Sequence, residues 1–167
     1  MKIDLQQLTQ FLALAVIKTY VGNGKEVLPW VPSFKELEYP ENGWEDQNVD
    51  YYYRDSYSGF YLAPGREVVY FRGIPIWSRT YNGGMESKYR ENESFAKETF
   101  KFLKKALLRV DPAKPYKRGP DYFKEDDWEY ISEIEGNIER FKGKERILYK
   151  GEQVFSQDYG GCLILHK

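Results

Sequence analysis

Leu5, Leu8, Leu12 and Ala15 recur at the spacing of one helical face, behind Asp4 as an N-cap and Gln7 at the third position. The chain therefore opens with a predicted helix. Phe11, Leu14, Val16 and Ile17 carry apolar character round its other faces, which predicts cover on more than one side, in the core or at a dimer contact. A second helix is predicted over 94–110, with Phe95, Thr99, Phe102, Leu103, Ala106, Leu107 and Val110 as its inner stripe. Its basic residues lie largely outside that stripe and crowd toward the C-terminal end, where the helix dipole favours them, so a solvated face is expected there rather than a nucleic-acid patch.

Elsewhere the apolar period is two. Residues 65–83, GREVVYFRGIPIWSRTYNG, return 78 positions later as GKERILYKGEQVFSQDYGG, with Gly65/Gly143, Glu67/Glu145, Gly73/Gly151 and Tyr81/Tyr159 among the matches. Read as an internal duplication, the repeat covers 51–84 and 128–162, each copy three antiparallel strands. Two-residue turns at Arg72-Gly73 and Lys150-Gly151 predict hairpins in which Phe71 faces Ile74, Val69 faces Ile76 and Glu67 faces Ser78. The second hairpin then sets Ile147 against Val154 and Glu145 against Ser156, with Trp77 and Tyr81 on the other side of the sheet. The expected fold class is α+β: a two-layer domain of helix-βββ-helix-βββ order, its antiparallel sheet built from the duplicated unit and its helices on one face. All of 1–167 is expected to form a single domain.

Between the first helix and the first copy, residues 28–50 hold Pro29, Pro32, Pro40 and Gly43 among Trp30, Phe34, Leu37, Tyr39 and Trp44. The prolines speak against a central strand and the large apolar residues against disorder, so an ordered loop laid across the sheet is expected. DPAKPYKRGP, 111–120, reads as a plain connector.

Charge and composition narrow the chemistry. In 167 residues, 25 basic and 26 acidic side chains nearly cancel, so no overall field draws the chain to nucleic acid or an anionic membrane. One cysteine and one histidine exclude an internal disulfide and a Cys/His metal cluster; a cytoplasmic setting without metal or cofactor is expected. No apolar run reaches membrane-spanning length, and the N-terminus lacks a cleavage-type signal. The 17% aromatic and 31% charged content matches a heat-tolerant protein with ion-pair networks. GNGK at 22–25 follows a helix instead of opening one, the wrong end for phosphate, and reads as a helix stop. His166 stands beside the C-terminus and Cys162 sits in GGCLIL, a buried, inert setting, so no nucleophilic triad is expected.

Two site readings remain. In the first, the aromatic side of copy one, under the cover of residues 28–50, forms a pocket lined by Trp30, Trp44, Trp77 and Tyr81 and bordered by Arg54, Asp55 and Arg79. Such a pocket suits a flat or anionic small molecule. In the second, Glu67 and Glu145 converge near a pseudo-twofold axis, a pair that serves acid/base work or a hard cation, unless each only finishes a core edge against its own serine. Copy one differs from copy two at Trp77, Arg79, Thr80 and Asn82, which makes it the expected working half.

TYVGNGKE, ELEY, YRDSYSGF, REVVYFRGIPIW, FLKKAL and FKGKERILYKGEQVF together resemble a bacterial and archaeal family of domains of unknown function. In many relatives such a domain is attached behind an Xre-type helix-turn-helix, which implies effector sensing or partner binding. The space ahead of Asp4 is too short for that unit, so this chain is expected to stand without it. The resemblance brings no catalytic or binding residue with it. The sequence thus points to a non-catalytic module for a small molecule or a partner, with a carboxylate enzyme and a structural homodimer subunit as the alternatives.

Overall fold

The computed structural model describes residues 3–22, 24–29, 31–46 and 48–167. Its centre is one eight-stranded antiparallel sheet. In chain order the elements are α1 (Leu5–Val16), running into a π-helical turn (Ile17–Val21), then β1 (Phe34–Tyr39), β2 (Tyr51–Ser58), β3 (Gly65–Phe71) and β4 (Ile74–Met85). After α2 (Glu93–Leu107) come β5 (Tyr122–Glu125), β6 (Trp128–Asn137), β7 (Arg140–Tyr149) and β8 (Glu152–Leu163). The strands lie in the order β1-β2-β3-β4-β8-β7-β6-β5, so two meanders meet where β4 pairs with β8, Tyr81 opposite Tyr159.

This arrangement overturns the two-layer α+β plan with its duplicated helix-βββ unit. Each half supplies four strands, and two helices of 12 and 15 residues are a partial lid on such a sheet, not a second layer. The two unforeseen strands are short edges. β1 fits between Pro32 and Pro40, which are tolerated because an edge strand leaves one row of backbone groups unpaired. β5 has four residues and pairs only with β6. Neither is long enough to impose a readable period.

Local rules account for the rest. The Asp4 carboxylate accepts from the Gln6 and Gln7 amides at 2.9 and 3.1 Å, and Asn92 caps α2 by accepting from Phe95 N at 3.0 Å. α1 buries Leu8, Leu12, Ala15 and Val16 but leaves Leu5 and Leu14 exposed, as is Ile17 at the start of the π-helical turn, so the helix is covered on one side only. Arg72-Gly73 and Lys150-Gly151 all take positive φ, between 50 and 81°, the two-residue hairpin geometry that matches strand twist.

One irregularity decides the inward face. The β3–β4 register runs Phe71↔Ile74 and Tyr70↔Pro75, then skips Ile76 and resumes as Val69↔Trp77 and Glu67↔Arg79. β7–β8 does the same, skipping Val154 and resuming as Ile147↔Phe155 and Glu145↔Gln157. A β-bulge inserts one residue on one strand and so exchanges faces beyond it. The expected pairs Val69–Ile76, Glu67–Ser78, Ile147–Val154 and Glu145–Ser156 are therefore each displaced by one. Trp77 and Phe155 turn inward into the core that also holds Tyr53, Val69, Tyr81, Tyr130, Ile147 and Tyr159, against Leu8, Leu12, Phe102 and Leu103 of the helices. Among the described residues no helix is long and apolar enough to cross a membrane.

Candidate functional site

Odd-numbered residues of β2 face the helices and even-numbered ones face away, because strand side chains alternate. Tyr53, Asp55 and Tyr57 thus lie on the helix side, with Glu67 of β3 and, past the bulge, Arg79 and Tyr81 of β4. Between this part of the sheet and the helices is a cavity of about 320 Å³. Phe100, Leu103 and Leu107 of α2 and Tyr20 of the π-helical turn line its helix side, and the partly exposed Phe60 also lines it. The π-turn adds a residue to the helical period just where Thr19 and Tyr20 must be aimed inward, and Thr19 is fully buried with its hydroxyl donating to Ala15 O at 2.8 Å.

The floor is ionic. Arg79 donates to both oxygens of Glu67, Nε at 3.1 Å to Oε1 and Nη2 at 2.5 Å to Oε2, and its Nη1 reaches the Tyr116 carbonyl at 3.1 Å. Arg118, from the connector after α2, donates Nε to Glu145 Oε1 at 2.8 Å and Nη1 to Glu67 Oε1 at 3.2 Å. Glu145 also accepts from the Tyr130 hydroxyl at 2.6 Å and from Gln157 Nε2 at 3.0 Å. Both guanidiniums gain proton affinity from these carboxylates despite burial, which opposes it. Two buried acids are thereby matched by two buried bases, the condition under which charge is tolerated in a core.

Asp55 is the acid left over. It is 3% exposed, lines the cavity, and accepts from the Tyr81 hydroxyl at 2.8 Å; no described residue gives it another hydrogen bond. Burial, followed by the nearby charge of Glu67, pushes its carboxyl up to about 7, against the pull of Tyr81, Arg118 and Arg79. Tyr81 is itself held well above the usual phenol range by burial and by Asp55, so it stays a donor. Burial pushes Tyr20 up to about 12, with Arg118 opposing.

The expected site residues separate accordingly. Asp55, Arg79 and Tyr81 meet at the cavity, and Glu67 joins them. Arg54 and Trp44 lie on the opposite face of the sheet, where the Trp44 ring packs 5.6 Å from Tyr52 and 5.3 Å from Tyr70, and Arg54 Nε is 3.2 Å from Glu36. Trp77 is fully buried, donating Nε1 to Ile138 O at 3.1 Å and stacked on Phe141. Trp30 lies outside the described residues. The cavity is therefore on the helix side of the sheet, with Lys35 of β1 at its wall, and beneath its aromatic lining it holds the buried acids and bases of the floor. Glu67 and Glu145 do come together, with the Arg118 guanidinium between them in place of the serines or a cation. Cys162 is exposed rather than buried. Among the described residues no group of three or more His, Cys, Asp or Glu side chains is placed to hold a metal ion.

Arg118 was missed because its segment reads as a linker. The signal for it was indirect: Asp55, Glu67 and Glu145 at strand positions of inward parity require more positive charge than Arg79 supplies.

A family described as a domain of unknown function (DUF5680) matches residues 55–164. The chain belongs to that family. No curated protein and no solved structure matches it. The DUF5680 segment contains the whole ionic floor, from Asp55 through Arg118 to Gln157, whereas Val16, Tyr20, Lys35 and Tyr53 of the cavity wall precede it.

Proposed function

We propose that this DUF5680 chain is a non-catalytic small-molecule-binding module, with its ligand seated between α2, the π-helical turn and strands β2 to β4. The observation that carries this reading is the cavity itself: apolar and aromatic walls over a floor with a few convergent polar groups, within the volume range of small-ligand sites. The floor is preorganised, since Arg79 is fixed at both ends by Glu67 and by backbone carbonyls, and Arg118 by two carboxylates. The resemblance to domains carried behind helix-turn-helix units fits such a sensing role. The pairing of Glu67 and Glu145 favours binding over acid–base chemistry, because Arg118 fills the space between them and, together with Arg79, balances their charge.

The experiment is a screen of single-ring fragments by thermal shift and protein-observed NMR. A ligand that binds only the folded chain stabilises it by about 2.7 kcal/mol at a hundred times its Kd. Stabilising fragments should shift the ring signals of Tyr57, Phe60 and Phe100, and Ala63→Leu, which adds bulk to the wall, should abolish those shifts. A library that leaves the melting temperature and those rings unmoved defeats the reading.

A further inference from the structure

We propose that the cavity takes a ligand headed by a protonated amine, with Asp55 as the carboxylate that receives it and the aromatic wall holding the apolar body. This rests on the binding reading above and adds the ligand class. The two glutamates beside the cavity are committed: Glu67 accepts from Arg79 and Arg118, and Glu145 from Arg118, Tyr130 and Gln157. Asp55 has one neutral donor, Tyr81 on Oδ1, and none of the described residues reaches Oδ2. A carboxylate buried with a single neutral partner gains more from a charged donor than from a neutral one, since charge-assisted bonds are about twice as strong.

The charges facing Asp55 leave that position to a cation. Glu67 comes from β3, Arg79 and Tyr81 from β4, Arg118 from the connector and Tyr20 from the π-turn. Arg79 and Arg118 are offset by Glu67 and Glu145, so their net field at Asp55 is that of two ion pairs. Of the lysines in the wall, Lys35 is paired with Glu26, and Lys104 Nζ lies 5.1 Å from the centre of the Tyr20 ring. An anionic head would meet Asp55 with no uncommitted guanidinium to receive it. An ammonium would meet Asp55, and the rings of Tyr57, Tyr81 and Phe60 line the same space, where ring faces attract cations.

The test uses the full chain at pH 8 with three probes of one shape: 2-phenylethylamine, 2-phenylethanol and 3-phenylpropionate. Calorimetry should give the amine a roughly tenfold or greater preference over the alcohol, the size of one hydrogen bond to a charged group, and the carboxylate the weakest binding. Asp55→Asn should reduce the ratio of amine to alcohol binding, measured on that same variant, to less than about threefold. Binding of the alcohol without preference for the amine, or a preference that survives Asp55→Asn, overturns the assignment of the amine while leaving the cavity in use. Failure of all three probes while other fragments bind the cavity overturns the amine assignment alone, and failure of probes and fragment library together overturns both readings.

Discussion

Glu67 and Glu145, 78 positions apart on strands of different meanders, share one guanidinium: Arg118 Nη1 lies 3.2 Å from Glu67 Oε1 and its Nε 2.8 Å from Glu145 Oε1. The connector thus clips the two halves of the sheet together from the helix side. Removing one partner of a buried ion pair leaves an uncompensated charge and costs about 3–5 kcal/mol. Arg118→Met should fall in that range in urea unfolding. Arg118→Lys should recover only part of the loss, because one ammonium lacks the planar fork that spans both carboxylates. A loss below about 1 kcal/mol for Arg118→Met, the scale of an exposed pair, would show that the clip contributes little.

Asp55 gives stability a pH dependence of definite sign. Its carboxyl is raised to about 7 in the folded chain, so between the ordinary carboxylate value and 7 the folded state keeps a proton that the unfolded chain has released. The stabilisation from that protonated group is complete at acid pH and is lost as pH rises through about 7. Asn at this position carries no such dependence. Asp55→Asn should therefore gain on the native chain as pH increases from 4.5 to 8, by at most about 4 kcal/mol, and level off above 7. A difference that is flat, or that favours the native chain as pH rises, would contradict the burial of an isolated carboxyl.

Much of this fold was legible in local chemistry. The Asp4 cap and the two hairpin turns lie where residue type and spacing put them, and of the expected α2 stripe Thr99, Phe102, Leu103, Ala106 and Leu107 are buried, while the helix ends at Leu107, before Val110. What was not legible comes from single-residue events and from charge balance across the chain. Nothing in the alternation of IPIWSRT announces that Ile76 drops out of register, yet that bulge moves Trp77 into the core and sets Arg79 opposite Glu67. The same bulge is what brings Arg79 and Tyr81 to the cavity beside Asp55, while Arg54, next to Asp55 on one strand, faces away. β1 and β5 were hidden by prolines and by brevity, and Arg118 by its setting among lysines, prolines and a glycine.

Gly65 and Gly143 test whether Tyr81 positions Asp55. A methyl group on Gly65 would lie 2.3 Å from the Tyr81 hydroxyl oxygen, and one on Gly143 2.5 Å from the Tyr159 ring. Each alanine variant must push an aromatic ring aside, at a cost of about 1–3 kcal/mol. Their effects on binding should differ. Tyr81 donates to Asp55, whereas Tyr159 is bonded to Ser132, so only Gly65→Ala should alter the affinity for 2-phenylethylamine. Equal effects on binding from both variants would mean that general loosening, not the Tyr81 contact, governs the site.

The pH profile of amine binding follows from the same carboxyl. 2-Phenylethylamine stays protonated across pH 5.5 to 8.5, so the group that changes charge in this range at the site is Asp55, which is pushed up to about 7. Above that value the amine meets a carboxylate; below it, binding must first expel the carboxyl proton, and affinity should fall by up to tenfold for each unit of pH. 2-Phenylethanol needs no ionised partner and should show no such fall, and Asp55→Asn should flatten the amine profile. At pH 6.5 calorimetry in buffers of different ionisation enthalpy should register proton release when the amine binds, and at pH 8.5 close to none. An amine affinity that is constant from pH 5.5 to 8.5 would mean that the ammonium does not rest on Asp55.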